Sequence, residues 1–341
     1  MARARGHERL DVRWVSTEWL QGELGGEALT VLDAQPDLHD YLEEHIPGAV
    51  RVEEGALRAH QGRMPHAFAP PEAVQAVLRR LGVRSGAPVV VYTGLGARSC
   101  RGDGLGHTVV AYALVRHGCD RVYLLDGGLD KWKAEGRPLT KALPEVEESA
   151  FEVAVRGDLL VSLDELGRAK DRPDVALIDT RSPQSYGEQA WAPRPGHIPG
   201  AVNLHWATLV DDANKALLRP LPEVRARVEA AGATPGRRVI LSCGTGRTAS
   251  LVFLLLVGPL GHPEVAFHEG AFVEWTSLPG NPTVAGTAPR CGWTGGREGG
   301  RGVGRDPAPG RGRATSAPAD ILSLDYLRVK YIRGRAGDLK P

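Results

Sequence analysis

The sequence predicts an α/β protein built from two homologous domains, each a mostly parallel sheet covered by helices. Three observations lead there. The string HIPGAV occurs twice, from His45 and again from His197. Each copy lies between a strand-like run containing aspartate (TVLDA, with Asp33; VALID, ending at Asp179) and a second apolar run (PVVVY at 88–92; RVIL at 238–241). Short β-rich runs also alternate with amphipathic stretches, the pattern of strands and helices laid on one parallel sheet.

The first unit, residues 8–143, runs from the TVLDA strand through HIPGAV to PEAVQAVLRRLG, where Val74, Val77, Leu78 and Leu81 recur at helical spacing. Pro70 and Pro71 open that helix and Gly82 closes it. The PVVVY strand follows, then the glycine turn and tryptophan of DGGLDKW, ending at Trp132. Lys141 to Arg156 reads as a connection ending in a strand, FEVAV. The second unit, residues 157–285, repeats the order: VALID, HIPGAV, the helix LPEVRARVEAAG, RVILS, the apolar helix ASLVFLLLVGPLG, and HEGAFVEW ending at Trp275. From about residue 286 the chain is rich in Gly, Arg and Pro without apolar period, so residues 286–341 are expected to be a disordered, solvated tail.

Composition excludes several classes. Lys and Arg number 42 against 41 Asp and Glu, a formal net charge of +1, so neither nucleic acid nor a membrane surface is expected as a partner. The longest apolar run, Leu251 to Val257, is too short to span a bilayer. Met1 to Leu10 is charged and lacks the apolar stretch of a signal peptide. Cysteines stand at 100, 119, 243 and 291, none in a CxxC and none at zinc-ligand spacing. Reduced thiols in a cytoplasmic protein without metal are the expectation.

The chemistry points to one loop. RVILS runs into Cys243-Gly244-Thr245-Gly246-Arg247-Thr248, and an apolar helix follows at once. Backbone amides of a glycine-rich turn can converge on a sulfur there, and the helix dipole adds positive potential; both favour thiolate over thiol. Glycines 244 and 246 permit backbone shapes other residues resist. Arg247 adds a charge suited to an anionic substrate or leaving group. A cysteine ending a buried strand is commonly a small hydrophobe, but such a cysteine needs neither a glycine turn nor an arginine.

This loop resembles the active-site loop of the rhodanese family. The resemblance covers most of residues 8–285 and rests on LIDTRSPQSYGE, GHIPGAVN, CGTGRTAS and HEGAFVEW. It implies two tandem rhodanese-like domains, the first inactive: Thr93 in VVVYTG stands where Cys243 stands in VILSCG, and threonine cannot form a persulfide. It implies a cofactor-free ping-pong reaction in which Cys243 takes sulfane sulfur from a small donor and passes it to cyanide or a thiol, a thiol protein included. A monomer is expected.

The resemblance also suggests secondary residues. Arg194, just before GHIPG, is similar to a substrate-binding arginine of mercaptopyruvate-type members. Arg181 matches the Asp-x-Arg arginine, but a structural ion pair, with Glu188 as a candidate partner, is favoured. His66 is similar to a first-domain histidine facing the active site, although the aspartate that accompanies it is replaced by Gly55, and Ser185 stands where members often carry arginine. Arg247 in place of valine favours thiosulfate over 3-mercaptopyruvate. A non-catalytic persulfide carrier is the rival reading. GLGARS lacks the third glycine of a dinucleotide loop, and a cysteine phosphatase would place arginine where Ala249 stands. Cys100 could relay sulfur, but a bystander thiol is the simpler reading.

Overall fold

The computed structural model describes residues 10–26, 29–96, 103–188 and 192–286. The expected tail beyond Gly286, Cys100 and Cys291 lie outside the described residues. Residues 10–286 belong to one compact unit.

In chain order the first repeat contains β1 (Asp11–Val15), α1 (Thr17–Glu23), β2 (Thr30–Asp33), α2 (Leu38–Glu43), β3 (Val50–Arg51), β4 (Arg58–Gln61), β5 (Met64–Phe68), α3 (Pro71–Arg80), β6 (Val89–Tyr92), α4 (Gly106–Arg116), β7 (Arg121–Leu125) and α5 (Gly128–Ala134). The second contains α6 (Leu163–Ala169), β8 (Val175–Asp179), α7 (Pro183–Gly187), β9 (Val202–Asn203), α8 (Leu221–Ala230), β10 (Arg238–Ser242), α9 (Thr248–Val257), β11 (Val265–Phe267) and α10 (Ala271–Ser277). The first sheet has the order β1-β7-β6-β2-β3 and the second β11-β10-β8-β9, every pair parallel. The second order repeats the first without β1; a single parallel bridge, Leu160 with Phe267, stands in that place. An antiparallel hairpin, β4 with β5, follows in the first repeat, and a single antiparallel bridge, Val210 with Leu218, stands in its place in the second.

The repeated sequence strings do repeated structural work. In both HIPGAV copies the glycine has positive φ, +78° at Gly48 and +86° at Gly200, so the turn needs a residue without Cβ. His45 stacks on Tyr41 and His197 on Tyr186, with ring centroids 4.1 and 3.7 Å apart. Each tyrosine hydroxyl donates to the alanine carbonyl of its own string, Ala49 and Ala201. Each histidine backbone pairs with the chain leaving the domain, His45 with Thr140 and His197 with Val284. The repeated tryptophans close the same exit: Trp132 and Trp275 donate to the carbonyls of Pro138 and Pro282, both at 2.8 Å.

The core has a shared middle. The outer faces of the two sheets are covered separately, around Trp132 in one repeat and Trp275 in the other. The inner faces share one continuous cluster in which α4 packs on α9. Every residue from Ala249 to Val257 is buried, which is why α9 lacks a polar face. Tyr112 of α4 packs edge-on against Phe253 of α9 at 5.0 Å.

FEVAV is not a strand. Its apolar residues pack, with Phe151 2% exposed, but its backbone runs along helix ends rather than beside a strand. Ala154 and Arg156 donate to the carbonyls of His117 and Arg116, and Val153 donates to the side chain of Gln75. Among the described residues no helix is long and apolar enough to cross a membrane.

Candidate active site

β10 ends at Ser242, and the loop Cys243–Arg247 connects it directly to α9. The Gly246 amide donates to Sγ of Cys243 at 3.1 Å. Gly246 has φ +76°, and a Cβ there would lie 3.1 Å from the carbonyl oxygen of Glu269, so both backbone shape and space call for glycine. The floor of the loop is fixed by α10: Phe272 and Val273 donate to the carbonyls of Cys243 and Gly244. Thr248 begins α9, and its hydroxyl meets that of Thr180 at 2.7 Å. Cys243 itself is 1% exposed.

Thr93 holds the equivalent place in the first repeat. Its carbonyl accepts from Leu129 at the start of α5, as that of Cys243 accepts from Phe272 at the start of α10. Its hydroxyl donates to the Ala34 carbonyl at 3.1 Å.

The first repeat reaches the Cys243–Arg247 loop through Arg58. This guanidinium donates to the carbonyls of Thr245 and Gly246, each at 3.2 Å, and to that of His66 at 2.7 Å. It lies over the ring of Phe68 and its side chain is only 9% exposed. Burial pulls its pKa below the ordinary arginine value, opposed by the charges of Glu54 and Cys243. By engaging the outward carbonyls, Arg58 keeps the peptide units of the loop turned so that an amide faces the sulfur.

A cavity of about 360 Å³ adjoins the loop. Its wall includes Gln35, Glu53, Glu54, Arg58, His66, Thr93 and Asp103 from the first repeat and Arg247 from the second. Arg247 does not project a free charge into it. Nε lies 2.9 Å from each carboxylate oxygen of Glu54, and Nη1 donates to Asp103. Behind the loop, Glu269 accepts from Tyr112 at 2.7 Å and from Arg116 at 2.6 Å. Burial, together with the Glu269 carboxylate, holds Tyr112 well above its usual pKa, so its proton stays on.

The structure therefore gathers Cys243, Gly244, Thr245, Gly246, Arg247, Thr248 and His66 at one place. It does not gather Arg194 or Arg181 there. Arg194 donates to the carbonyls of Leu278 and Asn281 where the chain leaves α10, with longer contacts to Thr276 and Pro279. Arg181 is 4% exposed and is paired with Asp179, at 2.6 Å between Nη2 and Oδ2, rather than with Glu188. Its remaining donors go to the carbonyls of Ser185 and Gly196. The two-residue spacing on the turn after β8 lets the side chains fold onto each other, and Glu188 caps α7 instead.

Sequence reading missed Arg58, Glu54 and Asp103. One signal was available. The two HIPGAV copies continue differently, as RVEEGALR in the first and NLHWATLV in the second, so an acidic pair and an arginine appear in one repeat alone. Among the described residues no group of His, Cys, Asp and Glu is placed to hold a metal ion.

Comparison with known proteins bears on the repeated fold. The family model described as "Rhodanese-like domain" matches the chain twice, over residues 16–135 and 162–278. A putative thiosulfate sulfurtransferase of Synechococcus elongatus is 35% identical over 274 residues, covering 78% of this chain and 83% of its own. A sulfur carrier protein of Thermus thermophilus is 32% identical over 292 residues, covering 80% and 96%. The crystal structure of SseA from Escherichia coli, a 3-mercaptopyruvate sulfotransferase of rhodanese fold, matches with TM-score 0.66 at 29% identity, over 76% of this chain and 98% of that one.

Proposed function

The chain belongs to the rhodanese family, and on that footing we propose that it is a sulfurtransferase carrying sulfane sulfur on Cys243, with the repeats 8–143 and 157–285 as its inactive and catalytic domains. The observation that carries the reading is the Gly246 amide donating to Sγ of Cys243 at 3.1 Å in a loop that opens α9. Such an amide stabilises a sulfur anion, both the thiolate and the persulfide anion that replaces it.

Thiosulfate is the donor we assign, chiefly on the name of the Synechococcus relative; Arg247 supports it only through the part of its guanidinium that Glu54 and Asp103 leave exposed. The Cys243 thiolate attacks the outer sulfur, the S–S bond of thiosulfate breaks, and sulfite leaves with the bonding pair. The persulfide anion on Cys243 then gives its outer sulfur to a nucleophile such as cyanide or a thiol, and the thiolate returns. Thr245 and Gly246 belong to the cradle, with Arg58 holding their carbonyls outward. His66 and Arg247 line the cavity beside the loop. Both repeats supply residues to one site, so a monomer suffices. The free thiols Cys119 and Cys243 suit a reducing cytoplasm.

Steady-state kinetics with thiosulfate and with 3-mercaptopyruvate, cyanide as acceptor, test this. Turnover with thiosulfate at the higher kcat/KM is expected. Persulfide formation without turnover on either donor would favour delivery to a protein thiol, the second reading, which the Thermus sulfur carrier relative supports.

A further inference from the structure

The first repeat holds Arg247 from two sides. Glu54 engages Nε and Nη2, each at 2.9 Å, and Asp103 engages Nη1. Both carboxylates line the same cavity as the guanidinium they hold. The cavity wall as a whole bears Glu53, Glu54 and Asp103 against Arg58 and Arg247, three carboxylates facing two guanidinium groups. Arg58 is spent on the loop carbonyls, shares Glu54 at 3.6 Å and is nearly buried, so Arg247, with 31% of its side chain exposed, is the cation an incoming anion would meet first.

A compact dianion entering this cavity competes with Glu54 and Asp103 for Arg247 and is repelled by them. A donor whose single negative charge lies away from its sulfur suffers less. Release follows the same logic. Sulfite must leave between the two half-reactions, and an unopposed guanidinium would retain it.

We propose that Glu54 and Asp103 are specificity-determining residues that weaken the grip of the site on compact dianions, limiting the affinity for thiosulfate and hastening the release of sulfite. This rests on the sulfurtransferase reading for its meaning but not for its measurement. Sulfite binding is measured by calorimetry on Cys243→Ser protein, alone and with Glu54→Gln or Asp103→Asn added. Each added change should tighten sulfite binding about 5-fold, the worth of one partly exposed charge contact. In the cysteine-containing chain each should lower KM for thiosulfate more than KM for 3-mercaptopyruvate. Unchanged or weaker sulfite binding in both variants would overturn the proposal; a gain in one alone would keep the role for that residue and remove it from the other. Absence of turnover in the unaltered protein would count against the sulfurtransferase reading, while the sulfite affinities would still decide this one.

Discussion

The hydroxyls of Thr108 and Ser250 meet at 2.8 Å where α4 crosses α9. One helix follows Thr93 and the other follows Cys243, so the contact joins equivalent elements of the two repeats at the centre of the shared core. Each hydroxyl also reaches a carbonyl of its own segment, Leu105 for Thr108 and Arg247 for Ser250. Two hydroxyl protons thus serve three contacts. Thr108→Val keeps the shape, removes the bridge and leaves Ser250 its carbonyl. It should cost about 1 kcal/mol in urea unfolding, and a cycle with Ser250→Ala should show coupling of about 0.5–1.5 kcal/mol. Zero coupling would mean that the bridge contributes nothing.

Arg247→Val leaves Asp103 facing the cavity without this cation and Glu54 with Arg58 alone, 3.6 Å away. In the transition state negative charge grows on departing sulfite, so the loss should appear chiefly in the chemical step. A fall in kcat/KM for thiosulfate of roughly 10–100-fold is expected from a charge-assisted contact of about 1.5–3 kcal/mol. Turnover of 3-mercaptopyruvate should fall less. Equal losses with both donors would show that Arg247 only shapes the loop.

The two-domain α/β plan was legible because repetition is a property of the chain itself: two HIPGAV strings, two apolar runs, two tryptophans. The loop around Cys243 was legible because its glycines and arginine are contiguous. The rest of the site was not, because it is assembled across the interface. Glu54 and Arg247 are separated by most of two domains, and no spacing rule connects them. Arg194 looked functional by its place before GHIPG, yet carbonyls at the exit from α10 claim it. FEVAV has the composition of a strand, but no strand lies beside it to accept its hydrogen bonds.

Three histidines make stability depend on acid. Burial lowers His107, His117 and His268 from 6.5 to about 4 each. Between those values the unfolded chain binds more protons than the folded one, so this contribution is complete above pH 6.5 and is lost as pH falls toward 4. The slope is up to about 1.4 kcal/mol per pH unit for each histidine. His268 donates from Nδ1 to the Val161 carbonyl, a contact the amide of asparagine can reproduce. His268→Asn should therefore reduce the slope of unfolding free energy against pH by up to about 1.4 kcal/mol per pH unit in this window. An unchanged slope would show that His268 is not held neutral.

Cys119 is expected to be inert. Burial pushes its thiol up to about 12, so almost none is thiolate near neutral pH. Cys119→Ser should keep sulfur transfer within about twofold of the unaltered protein. Iodoacetamide at neutral pH should leave Cys119 of the folded chain unmodified, as peptide mapping would read. Rapid alkylation there would contradict the burial.

The proposed reaction places transferred sulfur on Cys243, held by the Gly246 amide. Mass spectrometry of peptides after thiosulfate treatment, without acceptor, reads that sulfur. One added sulfur should appear on the peptide containing Cys243, disappear on adding cyanide, and be absent in Cys243→Ser. Added sulfur on another cysteine, or full transfer activity in Cys243→Ser, would contradict the account.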